Sequence, residues 1–156
     1  MKGKHYRPYL LLILIALAVG ALSSIFTIHG MPAYAQLAKP SFTPPPIVFP
    51  IVWNILYVLM GIGAARVWNT SAPERPQALF LFGAQLIVNF FWSVLFFGMQ
   101  LHFLAFLWLL LLLVIVGGML WFFYRADRLA GLLQIPYLLW CVFAAVLNLC
   151  IWLLNH

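Results

Sequence analysis

The chain has 156 residues, of which 67% are hydrophobic and 6% are charged, and its formal net charge is +6. A mean hydropathy of +1.10 excludes a water-soluble globular domain, because the surface of such a domain needs many more charged side chains. The sequence therefore predicts an integral membrane protein that is surrounded by the lipid bilayer.

Five apolar stretches are each long enough to cross about 30 Å of hydrocarbon as a helix. They predict an all-α bundle of five transmembrane helices that forms a single domain over residues 1–156. The short connections leave no room for a soluble catalytic domain, and the longest of them is a loop over about residues 29–46. The predicted spans are residues 9–28, 47–68, 77–99, 103–124 and 129–154.

The basic residues gather at one end of this predicted bundle. Lys39 falls on one face of a five-span topology, and the other lysines and arginines fall on the opposite face. This asymmetry accounts for the net charge without a nucleic-acid partner, and by the positive-inside rule it places the N-terminus in the cytoplasm and the C-terminus on the opposite side. The residues on the cytoplasmic face are Lys2, Lys4, Arg7, Arg66, Arg75, Arg125 and Arg128.

The segment KPSFTPPPIVFPIVWNILYVLMG, residues 39–61, joins the long loop to the second predicted span. Prolines at positions 40, 44, 45 and 46 fix φ and remove backbone donors, so that the loop is held extended. We predict that this loop is a lid over a covered pocket.

Polar and aromatic side chains form three stripes at helical spacing, each on one face of a predicted span. Together they would line an apolar slot with a few fixed polar groups, which is the usual anatomy of a small-molecule site and would suit a flat aromatic ligand. The alternative is that the amides hydrogen-bond between helices and the tryptophans only pack or anchor the spans. The stripes are Trp53, Tyr57 and Gly61 on the second span, Gln85, Asn89, Trp92 and Ser93 on the third, and Tyr137, Trp140, Ala144 and Asn148 on the fifth.

Conventional catalytic patterns are missing from the sequence, which has no glycine-rich phosphate loop, no metal-ligand spacing and no Ser/His/Asp set. Its only two acids, Glu74 and Asp127, lie in short connections between spans. Carboxylate catalysis inside the membrane is therefore excluded, and no metal site is predicted. The histidines lie at helix ends or termini, and haem ligation by His29 or His102 stays an alternative.

Four motifs, KPSFTPP, VFPIVWNILYVLMG, QLIVNFFWSVLFFGM and IPYLLWCVFAAVLN, resemble in order and spacing the signatures of the translocator protein or tryptophan-rich sensory protein family (TspO/MBR). The resemblance extends from about Tyr34 onward. It implies a five-helix membrane protein, commonly a homodimer. It also implies that tetrapyrroles such as protoporphyrin IX and haem, and sterols in some members, bind beneath the loop that joins the first two helices.

The resemblance assigns roles to individual residues by position. Trp53 and Trp140 match the family's pocket tryptophans, Asn89 matches its pocket asparagine, Ala144 matches a small residue that lines the ligand space, and Tyr34 and Pro44 match loop residues over the site.

Four positions depart from the family pattern. Phe42 and Ala33 stand where tryptophans are usual, so that the lid is expected to close differently. Leu149 and Leu153 replace the tyrosine and the arginine of the cholesterol recognition element, which argues against that form of sterol recognition.

These observations favour a binding and sensing protein for tetrapyrroles. The ligand stacks on Trp53 and Trp140 and meets the Asn89 amide, Lys39 meets a propionate, and loop closure reports occupancy. Protoporphyrin IX or haem is the expected ligand, and no resident cofactor is required. The predicted ligand-binding residues are Tyr34, Pro44, Trp53, Tyr57, Gln85, Asn89, Trp92, Trp140, Ala144 and Asn148.

Two alternatives remain open. One is an enzyme that oxidatively degrades bound porphyrin through Trp53 and Trp140, because no conventional catalytic group is available. The other is a transporter of porphyrin or sterol, limited to facilitated movement because no intramembrane carboxylate or nucleotide site couples it to an energy source.

Overall fold

Apolar helices make up nearly the whole structure, a computed structural model that describes residues 5–156. Within that range the secondary structure is entirely helical. The last turns of α3 continue as a π-helical segment, Val94–Gly98. The helices are α1 (Arg7–Gln36), α2 (Val48–Trp68), α3 (Arg75–Ser93), α4 (His102–Ala126), α5 (Arg128–Leu132) and α6 (Ile135–Asn155).

Five helical stretches of the described chain are long and apolar enough to cross a membrane, with α5 and α6 together forming the fifth. Helices suit this environment because hydrocarbon offers no water to backbone N–H and C=O groups, and a helix satisfies them internally. Large apolar side chains point outward along the spans, as Phe80 and Val114 do at 74% exposure each. The predicted all-α bundle of five spans is confirmed, and the protein is an integral multi-pass membrane protein.

The predicted end of the first helix is wrong. α1 continues to Gln36 with Pro32 inside it, so that the connecting loop covers residues 37–47 and Tyr34 lies on the helix. Gly30 and Pro32 resemble helix breakers in the sequence, but membrane helices tolerate both residue types. Gly30 is buried against Phe97, whose Cβ and carbonyl oxygen would each lie 2.7 Å from a Cβ at this position.

The last predicted span is also interrupted. Asp127 caps α5, accepting a hydrogen bond from the Ala130 amide at 2.8 Å, and a turn over residues 133–134 separates α5 from α6. A carboxylate at this position compensates unpaired N–H groups at the start of a helix. The other three spans begin and end within two residues of their predicted bounds.

Ion pairs join different elements of the chain at the basic end of the bundle. Arg66 donates two hydrogen bonds to the Asp127 carboxylate, at 2.9 Å and 2.8 Å. Burial alone would raise the pKa of the Asp127 carboxyl, but the hydrogen bonds from Arg66 and Ala130 outweigh it and hold the pKa below its ordinary value. Arg125 lies 3.5 Å from Glu74. Of the basic residues assigned to this end, Lys2 and Lys4 lie outside the described residues.

Glycines decide how closely α1 and α2 approach. Gly20 lies under the ring of Tyr57, and Gly61 lies against the backbone and side chain of Ile13. By contrast, an added Cβ at Gly83 on α3 or Gly117 on α4 would meet nothing within 4 Å. The open space at these two positions does not identify a partner helix or chain. The homodimer implied by the resemblance stays a prediction.

We expect Gly61→Ala to destabilise the protein by about 1–3 kcal/mol, because the new Cβ forces the α1 backbone away from α2. Thermal unfolding in detergent would measure the loss. Gly117→Ala is the matched control, and its effect should stay within about 0.5 kcal/mol or favour the helix slightly. Equal losses in the two variants would contradict the close α1–α2 contact.

Candidate functional site

A cavity of about 570 Å³ lies in the half of the bundle near the loop, enclosed by α1, α2, α3 and α6. Its volume is typical of small-molecule sites. The described residues of α4 do not line it, so that this helix supports the cavity from outside. None of the described lining residues carries a formal charge.

Eight of the ten predicted ligand-binding residues line this cavity. Pro44 does not, because the chain turns toward the cavity only at Pro46. Gln85 also lies outside, one turn deeper on α3, where it is fully buried by other side chains. The eight residues that the fold brings together are Tyr34, Trp53, Tyr57, Asn89, Trp92, Trp140, Ala144 and Asn148.

Two hydrogen-bonded pairs join helices at the deep end of the cavity, and only the first of them lines it. The Asn89 Nδ2 group donates to the Tyr57 hydroxyl at 2.9 Å, which joins α3 to α2. Below it, the Tyr137 hydroxyl donates to Gln85 Oε1 at 2.6 Å and joins α6 to α3. The ring centroid of Trp53 lies 5.7 Å from that of Tyr57 and 6.2 Å from that of Tyr137. These amides therefore hold helices together as well as shaping the cavity.

A third polar connection runs along the side of the cavity. The Trp92 indole N–H donates to Asn148 Oδ1 at 3.2 Å, and Asn148 Nδ2 donates to the carbonyl of His102 at 2.8 Å. This connection ties α3, α6 and the first residue of α4 to one another. The Trp92 indole, the Asn148 amide and the His102 carbonyl lie among apolar side chains. Their hydrogen bonds therefore fix the depth of the three helices relative to one another.

A row of aromatic rings closes the cavity at the loop end. Ring centroids lie 6.5 Å apart for Tyr34 and Phe49, 5.9 Å for Phe49 and Trp140, and 5.2 Å for Trp140 and Phe143. Phe143 then contacts Phe42 of the loop edge-on at 6.2 Å. The row connects a ring inside the cavity to the loop outside it.

Polar contacts anchor the loop to the ends of two helices. The Asn155 side chain exchanges hydrogen bonds with the backbone N–H and C=O of Ala38, at 2.9 Å and 2.8 Å. The Lys39 ammonium donates to the carbonyls of Tyr34 and Leu37 at 2.9 Å each, where a cation complements the C-terminus of α1. Lys39 is therefore engaged with the backbone and does not line the cavity, contrary to the expected contact with a propionate.

The expected histidine ligands do not reach the cavity either. His29 is exposed, with Nδ1 2.6 Å from the carbonyl of Ile25, and His102 lies at the start of α4. Within residues 5–156, no group of three or more His, Cys, Asp or Glu side chains could hold a metal ion. Because neither His29 nor His102 lines the cavity, axial ligation of a haem bound there finds no support in the geometry.

Sequence reasoning missed the contribution of α1. Ser23, Ser24 and Thr27 line one side of the cavity, and their hydroxyls bond to carbonyls of their own helix. The three hydroxyl residues are spaced by one and four positions on an otherwise apolar span, and this spacing could have indicated a polar face on α1. Phe49 was also missed, because one more aromatic residue in an apolar segment carries no distinguishing pattern.

Comparisons with known proteins agree with this architecture. The TspO/MBR family matches residues 12–153. The Tryptophan-rich protein TspO of Chlorobaculum tepidum is 40% identical over 151 residues, which cover 90% of this chain and 91% of that protein. Protein CrtK of Rhodobacter capsulatus is 39% identical over 140 residues, covering 87% and 85%. The Translocator protein of Homo sapiens is 36% identical over 137 residues, covering 82% and 78%.

A double-mutant cycle with Trp92→Phe and Asn148→Leu tests the connection along the cavity side. We expect a coupling energy of about 0.6 kcal/mol and at most about 1.7 kcal/mol, the range of hydrogen bonds between membrane helices. Unfolding in detergent would supply the four free energies. Trp121→Phe, at an exposed position on α4, should show no coupling to Asn148→Leu. Additive effects of Trp92→Phe and Asn148→Leu would count against the bond.

Proposed function

The chain belongs to the TspO/MBR family, and on that premise we propose that it is a membrane-embedded binding and sensing protein for tetrapyrroles such as protoporphyrin IX or haem. The names of its relatives, among them Tryptophan-rich sensory protein and Translocator protein, support a sensor or transporter role in the membrane. The tetrapyrrole is our inference from the site.

The observation that carries this proposal is the cavity itself, about 570 Å³ in volume, uncharged and lined by Trp53, Trp92 and Trp140. A large flat ring gains most of its binding free energy from burial and from offset or edge contacts with such side chains. The Asn89 amide, held by Tyr57, lies at the floor, where a polar ring atom of the ligand can meet it.

Access from the bilayer fits an apolar ligand. On the side where α1 and α2 border the cavity, several lining residues within these two spans are exposed, including Ser24 and Ile28 of α1 and Asn54 of α2. A ligand dissolved in lipid can thus reach the cavity without crossing water. The loop, anchored at Asn155 and at the end of α1, closes the other approach.

The aromatic row offers a physical basis for sensing. A ligand that displaces Trp140 also displaces Phe143, which contacts Phe42 of the loop. Occupancy would then alter the surface that the loop presents outside the membrane. A ligand can shift the loop from one position to another only if its affinity for the protein differs between the two positions of the loop.

We expect protoporphyrin IX, titrated in the dark into purified protein, to quench tryptophan fluorescence saturably. Trp53→Phe/Trp140→Phe should weaken binding about fivefold or more, since each ring contact is worth about 0.5–1.5 kcal/mol. Asn89→Ala should weaken it less. The matched control is Trp68→Phe/Trp121→Phe, which removes two exposed tryptophans outside the cavity and should leave the affinity unchanged. Equal affinities in both double variants would overturn the assignment of the cavity.

A second candidate function is oxidative degradation of the bound porphyrin, with light and dioxygen as co-reactants. It is favoured by the contact of Trp53 with Tyr57 and Tyr137, which places several oxidisable rings in a chain beside the ligand space.

This candidate predicts that illuminated, aerated protein with protoporphyrin IX forms a product that free pigment does not give. The product should disappear in Trp53→Phe under conditions in which that variant still binds pigment. Absorbance spectra and chromatography of the extracted pigment would decide. Product spectra identical to those of free illuminated pigment would rule degradation out.

We also propose that the N-terminus faces the cytoplasm, because Arg66, Arg75, Arg125 and Arg128 lie at one end of the bundle and Lys39 at the other. Ser41 and Ser71 are exposed at opposite ends. In intact cells, a membrane-impermeant maleimide should label Ser41→Cys and spare Ser71→Cys in a background without the two native cysteines. The reverse pattern would invert the topology.

A further inference from the structure

Five arginines lie at the basic end of the described chain, and they differ in what neutralises their charge. The sequence contains only two acidic residues, and Arg66 and Arg125 pair with both of them. The remaining three, Arg7, Arg75 and Arg128, form no ion pair among the described residues. Five arginines against two carboxylates leave an excess of three positive charges at this end.

Two of these three guanidinium groups lie over aromatic rings. Cζ of Arg75 is 5.1 Å from the centroid of the Trp68 ring, across the turn that joins α2 to α3. Cζ of Arg128 is 6.0 Å from the centroid of the Tyr124 ring, where α4 leads into α5. Both rings are exposed near the end of a span, the position typical of aromatic residues at the headgroup level of a bilayer. A cation–π contact holds each guanidinium at that level.

Most N–H groups of these two guanidiniums remain available to a ligand. A guanidinium carries five N–H donors in a planar fork. Arg75 uses one of them in a long contact, 3.4 Å from Nη1 to the carbonyl of Thr70. The contact that the structure gives the Arg128 guanidinium is the one with the Tyr124 ring. Since a guanidinium fork matches the oxygens of a phosphate group, each stacked arginine presents donors for a phosphate.

The position of these donors favours a lipid phosphate over a soluble one. Trp68 is the last residue of α2, and Tyr124 lies in the last turn of α4. The stacked guanidiniums therefore lie where the hydrocarbon of the bilayer gives way to its headgroups, and a lipid phosphodiester reaches them without leaving the membrane. A phospholipid with net negative charge gains most, because basic residues at this level attract anionic headgroups.

We propose that Arg75 with Trp68, and Arg128 with Tyr124, form two headgroup sites for anionic phospholipids such as phosphatidylglycerol. In each site the guanidinium donates to the lipid phosphate, the ring holds the guanidinium in place, and the acyl chains lie along the neighbouring span. None of the four residues lines the cavity, which lies toward the loop end of the bundle. The two sites are thus independent of the proposed tetrapyrrole function.

Native mass spectrometry of delipidated protein in a neutral detergent would count the bound lipids. Phosphatidylglycerol and phosphatidylcholine with the same two oleoyl chains are titrated separately, so that only the headgroup differs. We expect the wild type to prefer phosphatidylglycerol. Arg75→Gln and Arg128→Gln should each weaken one of two preferred binding events about fivefold and leave phosphatidylcholine binding unchanged.

Arg7→Gln is the matched control, because it removes one arginine charge at the same end from a side chain with no ring behind it. The start of α1 lies beside the end of α2, where Asn69 Nδ2 donates to the carbonyl of His5 at 3.2 Å. This variant should weaken phosphatidylglycerol binding less than about twofold. Trp68→Leu leaves the charge unchanged and should still weaken binding at the Arg75 site about two- to fivefold.

A stability measurement separates lipid binding from folding. Neither Arg75 nor Arg128 forms an ion pair with the described residues, so the double variant Arg75→Gln/Arg128→Gln should keep the wild-type melting temperature in phosphatidylcholine. Phosphatidylglycerol should raise the melting temperature of the wild type more than that of the double variant, because a ligand stabilises the state that binds it.

The two sites are overturned if the wild type shows no preference for phosphatidylglycerol. They are also overturned if Arg7→Gln weakens its binding as much as Arg75→Gln and Arg128→Gln do, which would mean that only the overall positive charge attracts the lipid. Displacement of phosphatidylglycerol by inorganic phosphate at constant ionic strength would assign the arginines to a soluble anion and overturn the lipid as their ligand.

Discussion

Inside a bilayer no water is available to a polar side chain, and this one constraint organises the structure. An amide or hydroxyl in a span must find a partner on another helix or on its own backbone. Asn89 finds Tyr57, Gln85 finds Tyr137, and Asn148 bridges Trp92 to the backbone of α4. These pairs set the depth and rotation of four helices, and the cavity is the space that remains between them.

The two interpretations that the sequence left open do not exclude one another. Asn89 and Asn148 both hydrogen-bond to another helix and line the cavity, so that each amide is held in a fixed position beside it. A preorganised polar group of this kind favours ligand binding, since it loses little freedom when the ligand arrives. Binding at this site would thus depend on the packing that stabilises the fold.

Much of the fold was predictable from sequence, and the reason is hydropathy. Each span is a nearly continuous apolar run, and all five begin within two residues of the predicted position, the last of them with α5. The end of α1 was not predictable, because Gly30 and Pro32 disfavour helices in water but are tolerated in membrane helices. Within the site, periodicity placed Gln85 and Asn89 on one face but says nothing of depth, and only depth excludes Gln85 from the cavity. Pro46 lines the cavity and Pro44 does not. This depends on how the loop turns, and no local sequence pattern determines that turn.

The exclusion of α4 from the cavity has a consequence for optical spectroscopy. Of the seven tryptophans, Trp53, Trp92 and Trp140 line the cavity, whereas Trp108 and Trp121 belong to α4. Trp108 is further held by its indole N–H bond to the carbonyl of Val88 at 2.7 Å. Five of the seven tryptophans therefore form two populations of intrinsic chromophores, one lining the cavity and one on the supporting helix. Because the second population does not touch a guest in the cavity, an absorbing guest alters its emission only through energy transfer across the intervening distance.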